Sequence, residues 1–458
     1  MPNTMTEKEF RLLIDSTISF QHRFRERWES MDGDESLHIT VEKSVSILTE
    51  LEQRLNDNYP FFHPRYAGQM IKPPHPIAIA SYLMAMQINP NNHALDGGPA
   101  TAKMEMESVD QIATMFGYTE HLGHLTSSGT IANLEALWVA RSIHPNKTIA
   151  FSTNAHYTHR RMCEVIKTES QEVDITNLDL LEVELKKGTI GTLVVTIGTT
   201  GTGSVEPLHS ILPLAKKYGV RIHADCAYGG FFTLLAYDKA PIISPEPFLA
   251  LKECDSIVID PHKHGLQPYG CGCVIFKNAN VGKYYQHDSP YTYFTSKELH
   301  LGEISLECSR AGASAAALWA TLKAFPLRRD GGLGTILTKT RHAAQIWSEL
   351  ISTSSSLLEY CTPDLDIVIY FPKTKEFSAS TVSAASEKIF NSTMNHSDSP
   401  LYLALYTVSS SSIAKEHSHY VVDAPTTRVL RSVLMKPEHE HFVTTMFKEI
   451  SSRAEKFC

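Results

Sequence analysis

The sequence lacks the short motifs that mark several common enzyme classes. Its 458 residues contain no GxxxxGK[ST] phosphate loop, no GxGxxG fingerprint, no HExxH pair and no GxSxG elbow. A P-loop nucleotide site and a dinucleotide site are therefore not expected. Long hydrophobic runs are also missing, because the most apolar stretch, residues 311–325, is interrupted by Ser314, Thr321 and Lys323. That stretch is too short and too polar to cross a bilayer.

Cysteine is scarce and shows no pattern. The chain has 8 cysteines without a CxxC pair, which favours buried reduced thiols over a metal site or a disulfide framework. The pairs His121/His124 and His156/His159 each have HxxH spacing, but no further ligands complete a recognisable zinc motif. We therefore expect no metal site.

A strong excess of one charge and a secretion signal are both lacking. Lys plus Arg number 42 and Asp plus Glu number 50, so the formal net charge is only −8. This mild acidity gives no reason to expect nucleic acid or an anionic membrane as the main partner. The first residues, MPNTMTEKEF, contain no apolar h-region, so we expect no signal peptide and a cytoplasmic protein.

What the chain does have is the composition of a globular protein, with 42% hydrophobic and 20% charged residues. Apolar residues at helical spacing, including Val41–Leu55, predict an N-terminal helical segment over residues 1–60. From 61 to 330, helical stretches alternate with short β-rich runs, which predict strands at Thr148–Ser152, Thr192–Ile197, Arg221–Ala224, Ser256–Ile259 and Gly272–Phe276. This alternation favours a mostly parallel α/β sheet with ligand sites at the carboxyl ends of its strands. Residues 331–458 predict a smaller α+β domain.

Three stretches of the central region carry groups suited to chemistry. Leu125–Thr130 is rich in small and hydroxylated residues and leads into a predicted helix at 130–142, whose start can bind an anion, most often phosphate. Asp225 ends an apolar strand, where a carboxylate is costly without a positive partner. Lys263 follows another strand, between two histidines, which suits a lowered pKa and Schiff-base chemistry. Taken alone, each has an ordinary explanation: a helix N-cap, a capping carboxylate and a surface lysine in a turn.

Together, the three stretches suit pyridoxal 5′-phosphate (PLP). This cofactor needs an anion site for its phosphate, an amine for its aldehyde and a carboxylate that keeps its ring nitrogen protonated. The sequence offers all three groups along one α/β region, first the anion site at 125–130, then Asp225 and then Lys263.

Two of these stretches, HADCAYGG at 223–230 and DPHKHG at 260–265, closely resemble the PLP-dependent group II amino-acid decarboxylases of fold type I. Similar stretches lie at 127–132, 155–159 and 198–207, so the resemblance covers most of the central region. It implies the aspartate aminotransferase-like fold: a large α/β domain with a mostly parallel seven-stranded sheet, an N-terminal helical segment and a small α+β C-terminal domain. It also implies an obligate homodimer, with the N-terminal helices packing across the dimer.

The resemblance assigns roles residue by residue. Lys263 matches the Schiff-base lysine that forms the internal aldimine, Asp225 the carboxylate paired with the pyridinium nitrogen, and His156 the histidine stacked on the cofactor ring. The remaining matches to cofactor-binding positions are Ser128, Gly129, Thr130, Thr200, Ala227 and His262. In many members a mobile loop donates a proton to the substrate carbon after carbon dioxide leaves. That loop is recognisable around Tyr293 and His300, and both are candidate catalytic residues.

The implied function is α-decarboxylation of an L-amino acid at Lys263, with release of carbon dioxide and an amine. One departure from the family is His264, which stands where a bulky aromatic residue is frequent. Arg310 either orients an anionic group or forms a structural ion pair. The alternatives are another PLP reaction on the same fold (aldehyde synthesis, transamination or carbon–carbon lysis) and, from a different class, a non-catalytic scaffold. The identity of the substrate stays open.

Overall fold

The chain folds around two β-sheets, which follow a pair of N-terminal helices. The structure is a computed structural model that covers residues 5–31, 33–286, 305–396 and 398–457. Helix α1 (Glu7–Arg25) begins at a capping box formed by Thr6 and Glu9. Helix α2 (Val41–Leu55) follows the N-cap Thr40 and buries none of its own residues. Within the described ranges, no helix combines the length and the apolarity that crossing a membrane requires.

The larger sheet has seven strands in the order β1-β7-β6-β5-β4-β2-β3. The strands are β1 (Leu122–Thr126), β2 (Thr148–Phe151), β3 (Ser170–Glu172), β4 (Ile190–Thr196), β5 (Arg221–Asp225), β6 (Ser256–Ile259) and β7 (Gly272–Phe276). Strands β2 to β6 pair in parallel, whereas β7 runs antiparallel to both β1 and β6. Strands β4, β6 and β7 are buried along their whole length, as expected for an α/β sheet covered on both faces.

Nine described helices accompany the larger sheet. They are α3 (Pro76–Met86), α4 (Pro99–Met115), α5 (Gly129–Ile143), α6 (Thr158–Val165), α7 (Leu178–Lys186), α8 (Leu208–Tyr218), α9 (Thr233–Ala236), α10 (Glu246–Leu249) and α11 (Gly312–Ala324). Helices α5 to α10 lie between its strands along the chain, α3 and α4 precede β1, and α11 follows β7. Helix α8 ends at Gly219, whose φ of +63° gives the left-handed cap that glycine adopts without strain. The main hydrophobic core includes Ile112 of α4, Ile211 of α8 and Leu193 of β4, all fully buried.

The smaller sheet has four antiparallel strands in the order β10-β11-β9-β8. Its elements are α12 (Leu333–Ser352), β8 (Leu357–Cys361), β9 (Ile367–Pro372), α13 (Ala379–Met394), β10 (Ala404–Ser409), α14 (Ser410–Glu416), β11 (Thr426–Val433) and α15 (His439–Ala454). Trp347 of α12 is fully buried, and its ring centroid lies 4.5 Å from that of Tyr370 and 5.3 Å from that of Phe447. These aromatic contacts join α12 and α15 to β9.

The predicted α/β class with a mostly parallel seven-stranded sheet is confirmed. Strands β6 and β7 have the predicted bounds. The sequence analysis missed β1 and β3. Strand β1 reads LGHLT, with a histidine at its centre, and β3 has only 3 residues, so neither shows a clear periodicity.

Candidate active site

A cavity of about 210 Å³ lies at the carboxyl ends of β4, β5 and β6. Its lining residues are Ser128, Gly129, Thr130, Asn133, His156, Thr158, Thr196, Gly198, Thr200, Asp225, Ala227, Tyr228, Asp260, His262 and Lys263. The structure therefore brings together all the residues that the sequence analysis matched to cofactor-binding positions. The two candidate loop residues, Tyr293 and His300, lie outside the described residues.

The N-terminus of α5 forms one wall of this cavity. Ser128 is the N-cap, and its Oγ accepts the Ile131 N–H at 3.4 Å. A Cβ at Gly129 would lie 2.5 Å from Asp260 Oδ2, and a Cβ at Gly272 would lie 2.5 Å from the carbonyl carbon of Ser128. The chain segments approach this closely only because both positions are glycine. The first N–H groups of α5 and its helix dipole make the wall suited to an anion.

Asp225 is the last residue of β5 and is only 5% exposed. Its Oδ2 lies 2.9 Å from His159 Nε2, and its Oδ1 accepts the Ala227 N–H at 3.2 Å. Burial opposes ionisation, but the hydrogen bond and charge of His159, together with the charge of Lys263, lower the pKa of Asp225 below its ordinary value. The carboxylate is therefore ionised at neutral pH, and His159 is its side-chain hydrogen-bond partner.

The two HxxH pairs serve different purposes in the fold. His156 Nδ1 lies 2.7 Å from Thr158 Oγ1, and burial lowers the pKa of His156, so its imidazole is neutral. His159 is fully buried beside Asp225. Sequence reasoning gave His159 no role, although its spacing from His156 was noticed. In the other pair, His124 lies in the core with Nε2 3.1 Å from an oxygen of Glu135.

Lys263 lies in the turn after β6, and its side chain is 21% exposed. Its Nζ lies 3.1 Å from Asp260 Oδ2, so the ammonium group has a buried carboxylate partner. The neighbouring His262 donates from Nδ1 to the Cys271 carbonyl at 2.8 Å. Burial lowers the pKa of His262. The neutral ring therefore keeps Nε2 as a hydrogen-bond acceptor.

The turn that carries Thr200 is held by an arginine from the smaller sheet. Arg431 of β11 is 6% exposed and donates to the Thr200 carbonyl at 2.8 Å and to the Gly201 carbonyl at 2.7 Å. A third bond reaches the Gly68 carbonyl at 3.1 Å. Sequence reasoning missed Arg431, because an arginine in an apolar strand gives no indication of which distant carbonyls it binds.

Arg310 has a structural role next to strand β1 of the larger sheet. It forms a buried ion pair with Glu105 and donates to the carbonyls of Leu125 at 2.9 Å and Asn92 at 2.7 Å. Of the two roles considered for Arg310, the structure shows the ion pair.

The residues of the cavity fit PLP by their own chemistry. An ionised carboxylate at Asp225, a partly exposed amine at Lys263 and the N-terminus of α5 line one cavity. These are the three groups that the ring nitrogen, the aldehyde and the phosphate of the cofactor require.

Comparison with known proteins leads to the same chemistry. Residues 29–369 match the "Pyridoxal-dependent decarboxylase conserved domain". An L-tyrosine decarboxylase of Enterococcus faecium is 26% identical, over 87% of this chain and 83% of its own length. An L-aspartate decarboxylase of Thermococcus kodakarensis is 29% identical, over 66% of this chain and 78% of its own length.

Solved structures share the fold over nearly the whole chain. The crystal structure of Catharanthus roseus tryptophan decarboxylase in complex with L-tryptophan has a TM-score of 0.74 and 15% sequence identity, and it covers 98% of this chain and 99% of its own. Oryza sativa TDC with PLP and tryptamine has a TM-score of 0.77 and 15% identity, with 99% of each chain covered. The conserved-domain match spans well over half of the residues. The chain therefore belongs to the pyridoxal-dependent decarboxylase family and is a PLP-dependent amino-acid decarboxylase.

Proposed function

We propose that Lys263, Asp225 and His156 carry the decarboxylation of an L-amino acid in this protein. The observation that supports this most is that Asp225, held ionised by His159, and Lys263 line one cavity with the N-terminus of α5. The reaction needs a cofactor ring that accepts electrons and a lysine amine in the same site. Asp225 would pair with the ring nitrogen, and Lys263 provides the amine.

Each residue then has a separate task. Bound PLP supplies the aldehyde that takes the substrate amine and the ring that accepts electrons from the bond between Cα and the carboxylate. Ser128, Gly129 and Thr130 would hold the phosphate, with Thr200, Ala227 and His262 lining the rest of the cavity. Asp225 keeps a proton on the ring nitrogen, because an ionised, buried carboxylate strongly favours a cationic neighbour. Lys263 would hold the cofactor through its amine. His156 would pack on the ring as a neutral imidazole, and Tyr293 and His300 stay the candidates for returning a proton to Cα.

The assembly that we propose is a cytoplasmic homodimer. Helix α2 carries an apolar stripe along one face, and its members are 46% to 74% exposed in the single chain: Val41, Val45, Leu48, Leu51 and Leu55. A second copy that covers this stripe accounts for its amphipathic pattern. The cysteines at 163, 226, 254, 271, 273, 308 and 361 are all free thiols, which suits a reducing compartment.

We also propose a division of the chain at the boundaries expected from the sequence. Residues 1–60 hold α1 and α2, residues 61–330 hold the larger sheet and residues 331–458 hold the smaller sheet. The connection after α11 contains Gly331, whose φ of +64° suits a turn between two units.

Product analysis with a lysine variant tests the assigned reaction. The protein is incubated with PLP and each of the twenty amino acids, beginning with L-tyrosine and L-aspartate, and carbon dioxide and amine are quantified. We expect equimolar carbon dioxide and amine, and a loss of kcat of more than about 10³-fold in Lys263→Ala, because the variant lacks the exchanging amine.

The matched control is Lys277→Ala, an exposed lysine paired with Glu253 at 3.4 Å, and it should keep wild-type kcat. Normal turnover by Lys263→Ala would overturn the assignment of Lys263. Peroxide with aldehyde, or a keto acid, in place of amine would move the reaction to one of the alternatives on the same fold.

A further inference from the structure

A buried polar cluster joins the smaller sheet to the segment that carries Lys263. Its centre is Asp366, the residue just before β9, which is fully buried. Tyr228 donates its hydroxyl to Asp366 Oδ1 at 2.5 Å. His264 Nε2 lies 3.4 Å from Asp366 Oδ2, and the His264 ring packs against Tyr228 with centroids 4.8 Å apart. One carboxylate thus contacts two side chains of the larger sheet's unit.

One partner of Asp366 lines the cofactor cavity, and the other is the chain neighbour of a residue that lines it. Tyr228 lines the cavity and lies three residues after Asp225. His264 directly follows Lys263 in the chain and is fully buried. Asp366 therefore contacts the segment that carries the ring carboxylate and the segment that carries the lysine. Among the described residues, no other carboxylate contacts both Tyr228 and His264.

The charge state of the cluster favours these contacts. Burial raises the pKa of Asp366 to about 6, while the Tyr228 hydroxyl and the charge of Lys72 oppose the rise, so the group is mainly ionised at neutral pH. Burial lowers the pKa of His264 well below its ordinary value, and the charges of Lys72 and Lys263 act in the same direction. The neutral His264 faces the carboxylate with Nε2 at 3.4 Å, an approach that does not meet hydrogen-bond geometry. Since a buried carboxylate is expensive, an apolar residue would serve packing alone better.

We propose that Asp366 is a positioning residue of the decarboxylase, which acts through Tyr228 and His264 to hold the Asp225 and Lys263 segments in register around the cofactor. Cofactor binding then depends on a residue that lies outside the cavity and comes from the smaller sheet. This inference rests on the roles proposed above for Asp225 and Lys263.

The test compares cofactor affinity in Asp366→Asn and Tyr228→Phe with that of the wild type. Apo-protein is titrated with PLP and binding is followed by quenching of tryptophan fluorescence and by the visible circular dichroism of the bound cofactor. We expect the Kd for PLP to rise about tenfold in each variant, which corresponds to the loss of one buried hydrogen bond. The double variant should be no weaker than the worse single variant, because both changes break the same contact.

The matched control is Glu359→Gln, which alters a partly buried carboxyl of the smaller sheet that accepts the Ser348 hydroxyl at 2.6 Å. It should bind PLP as the wild type does. A positioning role requires the Kd of Tyr228→Phe to rise at a temperature at which far-UV circular dichroism shows the apo-variant to be fully folded. If Asp366→Asn does not fold, Tyr228→Phe decides alone, because its ring stays in place and only the hydroxyl that bonds Asp366 is removed.

Wild-type PLP affinity in a folded Tyr228→Phe would overturn the inference. Its failure is separable from failure of the proposed function, because in that case Lys263→Ala would still lose activity. If Lys263→Ala turned over normally, the proposed function would fail first, and the inference with it.

Discussion

Glu206 is a buried carboxyl group that the proposed reaction does not use. It is 4% exposed, and it accepts the Ser152 hydroxyl with one oxygen and the Thr196 N–H at 2.5 Å with the other. Burial raises the pKa of Glu206 to about 7, partly offset by these hydrogen bonds and reinforced by the charge of Asp225. The residue therefore changes its charge near neutral pH, behind the wall of the cofactor cavity.

Glu206 should make stability depend on pH in a defined direction. Its pKa rises from 4.5 in the unfolded chain to about 7 in the fold, so its contribution to stability is complete below pH 4.5 and is lost as the pH rises through 7. At about 1.4 kcal/mol per pKa unit, the wild type should lose roughly 3 kcal/mol of its free energy of unfolding between pH 5 and pH 8 because of Glu206. Glu206→Gln should not show this loss, because an amide does not titrate. Urea denaturation at several pH values measures this. The exposed variant Glu416→Gln should follow the wild type, and parallel pH curves for Glu206→Gln and the wild type would contradict the expectation.

Among the individual functional residues, those that could be predicted are the ones marked by their neighbours in the sequence. Asp225 and Lys263 each end or follow an apolar strand within a distinctive motif, so their positions could be expected. His159 and Arg431 could not, because their partners are distant: His159 is 66 positions from Asp225, and Arg431 is 231 positions from Thr200. Only the fold shows which buried polar groups meet.

At the scale of the elements, helix α2 has an apolar face that the single chain leaves uncovered. Leu48 is 62% exposed and Leu51 is 46% exposed on its apolar stripe. We expect the double change Leu48→Glu and Leu51→Glu to shift the protein from dimer to monomer, because it places two charges in the proposed interface. Sedimentation equilibrium over a range of concentrations measures the shift.

The stability of the single chain should change little in that variant, by about 0.5 kcal/mol or less per site, since both side chains are already exposed. Ser46→Glu, a change to a polar residue of the same helix, serves as the control and should stay dimeric. A variant that sediments as the wild type does would show that the apolar stripe is not the interface.

Elements with a clear hydrophobic periodicity or a helix-capping residue could be predicted well from the sequence, whereas short elements could not. Helix α2 was predicted at its observed bounds because its apolar residues recur at helical spacing. Strand β8 went unpredicted, because LLEYC mixes apolar and polar residues and a register shift interrupts its pairing with β9. Pairing between strands, which is a tertiary property, decides such cases.

For the molecule as a whole, the units that hold the two sheets are joined by hydrogen bonds and by a shared hydrophobic core. Arg341 of α12 donates to the Ile242 carbonyl at 3.0 Å, and the Val205 N–H donates to Asp364 at 2.8 Å. The main core also includes buried residues of both sheets, such as Leu193 of β4 and Ile369 of β9. Binding at the cavity should therefore stabilise the complete chain.

Cofactor removal tests this linkage. Saturation with PLP at 100 times its Kd should raise the free energy of unfolding by about 2.7 kcal/mol relative to the apo-protein. The rise should be smaller in Lys263→Ala at the same PLP concentration, because its affinity is lower. Chemical denaturation with and without PLP gives the difference. An unchanged midpoint in saturating PLP would mean that the cofactor does not bind the native state preferentially.

The antiparallel pairing of β6 with β7 constrains the length of the loop that joins these two strands. The loop at 260–271 leaves β6 at Asp260, which packs on Gly129, and returns to β7 at Gly272, which packs on Ser128. Both ends of the loop that carries Lys263 are thus anchored to the same helix start. Surface loops usually accept insertions, but an added residue here would displace the amine relative to the phosphate wall. Insertions and deletions in this loop should therefore be tolerated far less than substitutions, and loop exchange between relatives should succeed only at equal length.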